Sequence, residues 1–133
     1  MSSSYLMRLA VLTLAVIGSA TFVLGAAAQD RLSVFMKRKL EHAEKTLEAL
    51  AKEDYDAIIS HSQAISLLCE DELWMVLETP EYRERSKEFQ RSVYGITEAA
   101  RKKNLEGAAL AYVDTTLKCV SCHQFLRKTR GGK

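Results

Sequence analysis

Five consecutive residues near the C-terminal end, Cys119-Val120-Ser121-Cys122-His123, hold the side chains best suited to metal ligation and to bonding carbon. Three chemistries use two thiols and an imidazole so placed. A thioredoxin-like redox pair needs a βαβ setting, and no stretch of this chain shows strand alternation. A zinc site needs two more ligands at suitable spacing, and His42, His61 and Cys69 offer no recognisable set. The third is covalent attachment of a c-type haem. Each thiol adds to one porphyrin vinyl group, and the histidine gives an imidazole nitrogen to the iron. Helical residues at i, i+3 and i+4 share a face, so Cys119, Cys122 and His123 can project together. The expectation is one haem c held by Cys119 and Cys122, with His123 as an axial ligand.

Four helical blocks must position that motif. Leu32, Met36, Leu40, Ala43, Leu47 and Leu50 recur at three- and four-residue steps in the first, about 32–52. Asp54 is a good N-cap for the second, where Ile58, Ser62, Ile65 and Cys69 share a face. The third begins with Thr79 as cap, Pro80 at the first helical position and Glu81 suited to the helix dipole. It continues through Tyr82, Ser86, Phe89, Val93, Ile96 and Ala100. The fourth starts at Asn104, and Leu105, Ala109, Tyr112, Thr116, Cys119, His123 and Leu126 aim the motif inward. Four amphipathic helices with short connections predict an all-α, antiparallel up-down-up-down four-helix bundle around a covalently bound haem.

The same topology nominates a second axial ligand. Helix one runs up and helix four down, so the start of one lies beside the end of the other. Met36 and His123 then come to a similar level at about 1.5 Å per residue, and a thioether at 36 can reach the iron. Without a haem, Met36 reads as core packing. His42 is about 9 Å further along by the same rise, on a charged face, and His61 falls at the opposite end; both read as surface residues. Met75 is the alternative ligand. Phe35, Leu40, Trp74, Tyr82 and Leu126 are expected near the haem end as pocket walls or plain core. Arg127 is expected at the haem edge or in solvent, and Cys69 as a small buried apolar residue.

The chain has 133 residues, which suits one small domain. A formal charge of +2 without a dense basic stripe argues against nucleic-acid binding. Arg8, the apolar run Leu9 to Leu24 and the small residues Ala26 to Ala28 resemble a secretory leader. The reading is a signal peptide over 1–28 and a cytochrome domain over 29–133. The apolar run is short for an anchor, so no membrane span is expected once the leader is cleaved. An odd number of cysteines, three, fits two thioethers and one leftover thiol better than a disulfide framework. The basic tail after His123 (Arg127, Lys128, Arg130, Lys133) could steer an acidic redox partner or simply solubilise. Homodimerisation stays open, since no apolar outer stripe stands out.

An exported four-helix chain with its Cys-x-x-Cys-His motif near the C-terminus resembles a class II c-type cytochrome, the cytochrome c-prime family. Arg127 matches a basic residue that the family often places four after the histidine. The resemblance implies a periplasmic protein of one of two kinds. The low-spin kind takes a first-helix methionine as sixth ligand and carries electrons; Phe35-Met36-Lys37 resembles that pattern. The high-spin kind leaves the iron face open and binds nitric oxide or carbon monoxide. The chain departs from the family in a shorter span before the motif, and in Leu126 where an aromatic is common, with Phe125 one place earlier. The expectation is an electron carrier with redox protein partners, and not an enzyme.

Overall fold

The computed structural model describes residues 30–71 and 74–131. The expected leader lies outside the described residues, as do Glu72, Leu73 and the final two positions. The described residues form four helices and no strand: α1 (30–51), α2 (Tyr55–Leu68), α3 (Pro80–Arg101) and α4 (Leu105–Gly131). None is long and apolar enough to cross a membrane. The chain divides into two compact units, Met1–Met36 and Lys37–Lys133. In the first, the described residues are helical, with Phe35 buried and Met36 half-buried.

In the second unit, two turns of the same design reverse the chain. After α3, the Lys103 N–H donates to the Ala100 carbonyl and the Asn104 N–H to the Ala99 carbonyl, both at 2.9 Å. After α1, the Glu53 N–H donates to Leu50 at 3.2 Å and the Asp54 N–H to Ala49 at 3.0 Å. These are Schellman closures, which place one residue in the left-handed region. Here that residue is Glu53 at φ 55° and Lys103 at φ 54°, neither a glycine. The next residue caps the following helix. Asp54 Oδ1 accepts the Ala57 N–H at 3.0 Å and Asn104 Oδ1 the Gly107 N–H at 2.8 Å. A Cβ on Gly107 would come within 2.6 Å of Asn104 Nδ2, so that cap and that glycine go together.

Both turns lie at one end. Ala49 and Leu50 close α1, Ile58 opens α2, Ile96 and Ala100 close α3 and Ala108 opens α4, and all six pack into one cluster. This alternation of helix ends is consistent with the expected antiparallel bundle. Ile58 and Ile96 are fully buried, each contributing about 2 kcal/mol of apolar burial. A buried hydrogen bond of 2.7 Å between Ser62 and Thr97 ties α2 to α3. Tyr112 donates to the Ala43 carbonyl at 3.1 Å, tying α4 to α1. Thr79 caps α3 and Pro80 opens it, as predicted.

The roll of α1 and α4 differs from the expected one by a residue. Lys39, Thr46, Ala108, Thr115 and Cys122 are buried, whereas Leu40, Leu47, Ala109, Thr116 and His123 are exposed. The physical reason lies in the contacts between helices. A Cβ on Gly95 would stand 3.4 Å from Ala111 Cβ, and alanines and hydroxyl side chains line the neighbouring positions. Helices that approach on small residues leave no room for leucines between them. A second correction follows. Leu110, Val113, Leu117 and Val120 are 72, 55, 61 and 49% exposed, so α4 carries an apolar stripe on its outer face where none was expected.

A left-handed conformation costs a non-glycine residue about 1–2 kcal/mol, and glycine forfeits roughly 0.5–1 kcal/mol of chain entropy. Glu53→Gly and Lys103→Gly should therefore each stabilise the chain by about 0.5–1 kcal/mol, additively because the turns share no partner. Urea unfolding of both single variants and the double variant checks this; a loss of stability would show that the side chains are needed.

Candidate functional site

All five motif residues lie within α4. Cys122 is buried, Cys119 half-buried and His123 exposed on the flank of the seam. The two thiols thus face the interior, and the imidazole stands beside them rather than under them.

A cation fills the interior next to the thiols. Lys39 is only 9% exposed. Its Nζ lies 3.4 Å from the centre of the Trp74 ring, 3.9 Å from that of Phe89 and 3.9 Å from Cys69 Sγ. Trp74 and Phe89 meet at 5.3 Å with their planes tilted by 40°. Tyr82, 1% exposed, donates its hydroxyl to the Trp74 carbonyl and holds the 74–79 segment against α3. From α3, Arg85 donates to Ser121 Oγ at 2.7 Å, pairs with Glu81 at 2.9 Å and covers the Phe125 ring at 4.9 Å. Ser121, inside the motif, is thereby fixed to the neighbouring helix.

Burial governs the protonation states. It raises the thiol pKa of Cys119 and Cys122, with Lys39 opposing it in both and Arg85 also opposing it at Cys122. Burial lowers the His123 pKa, assisted by Arg127 and Lys39. At neutral pH this favours protonated thiols and a neutral imidazole, the form in which a ring nitrogen can ligate a metal. Lys39 is lowered from 10.5 to about 8 by burial, with Cys69, Cys119 and Cys122 acting against the shift.

The surroundings suit a haem. The cation rests on aromatic faces and a weak sulfur contact, and the groups that oppose its shift are cysteines. Trp74 Nε1 and Arg85 Nε are buried without a hydrogen-bond acceptor among the described residues, an arrangement that usually costs about 1–3 kcal/mol per group. A porphyrin brings two propionate carboxylates, which offer acceptors and countercharge to such groups, and an apolar body suited to Trp74, Phe89 and Tyr82.

Of the other expected pocket residues, Trp74 and Tyr82 lie in this region. Leu126 is half-buried beside Phe125 in sequence, and Arg127 is exposed. Leu40 is 59% exposed and lies off the seam; Lys39 takes its place. Met75, the alternative ligand, is 42% exposed. Phe35 and Met36 belong to the first unit. Sequence reasoning missed Lys39, Phe89 as a pocket residue, and Arg85. The available signal was the polar pair Lys39 and Thr46, seven apart and so on one helix face, which the louder pair Leu40 and Leu47 masked. No family model matches the chain, and neither the curated proteins nor the solved structures gave a match to it.

The buried cation should carry a measurable burden in the haem-free chain. Between pH 8 and 10.5 the unfolded chain still binds the lysine proton that the folded chain has released, so this contribution to stability improves as pH rises. Below pH 8 the full cost applies, about 3 kcal/mol. Lys39→Met should thus exceed wild type in stability by about that amount at pH 7, with the gap closing towards pH 10.5. The thiols, whose raised pKa values act in the opposite sense, rise further once Lys39 is gone, so the comparison is made in a chain with all three cysteines replaced by serine. Urea titrations at the two pH values test it; a gap independent of pH would mean the ammonium is not buried.

Proposed function

We propose that this chain is an exported mono-haem c-type cytochrome of the class II kind that transfers electrons and turns over no substrate. The observation that carries the reading is the pair of interior-facing thiols on α4 beside a neutral imidazole, against a buried cation and two buried N–H groups that lack acceptors. Once bound, the haem supplies a one-electron ferric–ferrous couple.

The residues divide the work as follows. Cys119 and Cys122 would hold the haem through thioether bonds, each thiol adding as S–H across a vinyl group. His123 would give an imidazole nitrogen to the iron, and Met36 would supply the second protein ligand. Lys39 and Arg85 would hold the haem carboxylates, and Trp74, Phe89 and Tyr82 shield the ring, which favours a raised potential. Two protein ligands leave no open position for a substrate and need little rearrangement when an electron arrives. The exposed cations Arg127 and Lys128 follow the motif and attract an acidic redox partner. Attachment of the haem takes place after export through the leader, in the periplasm.

The test is spectroscopic. Chain produced with a haem-attachment system should yield one covalent haem per chain by the pyridine haemochrome assay, and none in Cys119→Ala/Cys122→Ala. Wild type should give sharp low-spin ferrous bands and a ferric methionine–iron charge-transfer band, which Met36→Ala removes. A high-spin wild-type spectrum unchanged by Met36→Ala, with ready carbon monoxide binding, would overturn the Met36 assignment in favour of a gas-binding cytochrome. Absence of covalent haem would overturn the reading itself.

A further inference from the structure

Away from the motif, two histidines face each other across the first helical hairpin. His42 on α1 and His61 on α2 are both half-buried, and their Nδ1 atoms stand 3.2 Å apart. The ring centres are 5.5 Å apart and the planes tilted by 40°, so the rings converge at their nitrogens rather than stack. The sequence alone presented both as ordinary surface residues.

From this geometry we infer a second metal site, in which His42 and His61 clamp one divalent transition ion, Zn2+ by preference, between α1 and α2. Two nitrogens at about 2.0–2.1 Å from a tetrahedral ion stand roughly 3.3–3.4 Å apart. The observed separation is within about 0.2 Å of that bite, so binding needs no movement of either helix. Square-planar geometry would require a closer pair, roughly 2.8 Å at the same bond length.

Burial lowers the His42 pKa, with His61 as the next cause and Lys45 and Arg38 adding to it against Glu41. A neutral imidazole can present Nδ1 to an ion while its Nε2 carries the ring proton. Water completes the coordination. Glu48 lies near His61, and Lys52 holds its carboxylate. Glu41 is likewise paired with Lys45, at 2.9 Å. Both carboxylates are thus engaged, and no group of three or more metal-ligating side chains occurs among the described residues.

The hairpin does not need this pair to close. Fifty positions on, the α3–α4 hairpin has the same turn and places Ser92 and Ala111 at the equivalent points. Small side chains suffice there, so two imidazoles are surplus to the packing requirement and free to act as ligands.

The experiment is calorimetric titration of the purified full chain with Zn2+ at pH 7.5, for wild type, His42→Gln, His61→Gln and Cys119→Ser/Cys122→Ser. Wild type and the cysteine variant should bind one ion and gain thermal stability from it, and each histidine variant should lose both. Circular dichroism checks that the variants fold. Should one of them not fold, wild-type imidazole NMR replaces it, and the His42 and His61 signals should shift selectively on Zn2+ addition. Undiminished binding in either histidine variant would overturn the site, as would loss of binding in the cysteine variant alone or no effect of Zn2+ on wild type. The site does not depend on the haem reading, and haem content measured on the same samples keeps the two separate.

Discussion

The distance between helices is the constraint from which most of this structure follows. Gly95 against Ala111, and the alanines and hydroxyl side chains around them, let the backbones approach closely. That closeness belongs to the α3–α4 contact, where it favours small side chains on the buried face of α4. On α1, Lys39 and Thr46 are buried and Leu40 and Leu47 exposed, and α4 keeps apolar side chains on two faces. The polar groups taken in with it must find partners. Thr46 returns its hydroxyl to the His42 carbonyl at 2.8 Å and Thr115 to Ala111 at 2.8 Å, and Ser62 and Thr97 satisfy each other. A tight seam thus stays compatible with these polar residues because their hydroxyls bond within a turn or directly across a helix pair, whereas the buried Ser86 Oγ has no partner among the described residues.

Lys39 is the charged seam residue that such local bonding does not satisfy. Aromatic faces and a sulfur give it partial compensation, yet burial still weakens its hold on the proton. The unpartnered N–H groups of Trp74 and Arg85 belong to the same end. The turn end, by contrast, holds a dry cluster closed by two well-bonded turns. Among the described residues, dry packing lies at one end of the helices and polar groups short of partners at the other.

The sequence showed the helices and their ends because those are local properties. Asp54, Thr79 and Pro80 act on backbone groups within one turn, and each does in the structure what its type implies. The motif is local too, and it was legible at once. The seam was harder, because rotating a helix by one residue exchanges Thr115 for Thr116 and Ala108 for Ala109, pairs that periodicity cannot tell apart. Only the approach of a neighbouring helix discriminates, and that is a long-range property. Lys39 shows the same limit more sharply. A lysine beside a leucine reads as surface, and the rings that receive it come from positions 74 and 89, far away in sequence. The facing of His42 and His61 was hidden for the same reason.

The two turns, fifty positions apart, extend into a correspondence along the whole frame. Asp54 maps to Asn104, Ile58 to Ala108, Ile65 to Thr115, and the lone thiol Cys69 to Cys119. The correspondence then ends abruptly. The helix after the first turn stops at Leu68 after 14 residues, whereas the one after the second continues for 27 to Gly131. Everything from Cys119 onward lies in that overhang. The two hairpins share one turn design and one spacing, and the Cys-x-x-Cys-His run lies wholly in the part that one has and the other lacks. Cys69 marks where the shorter copy leaves off, so an unpaired thiol that looked incidental sits at the boundary between what the two halves share and what only one of them can do.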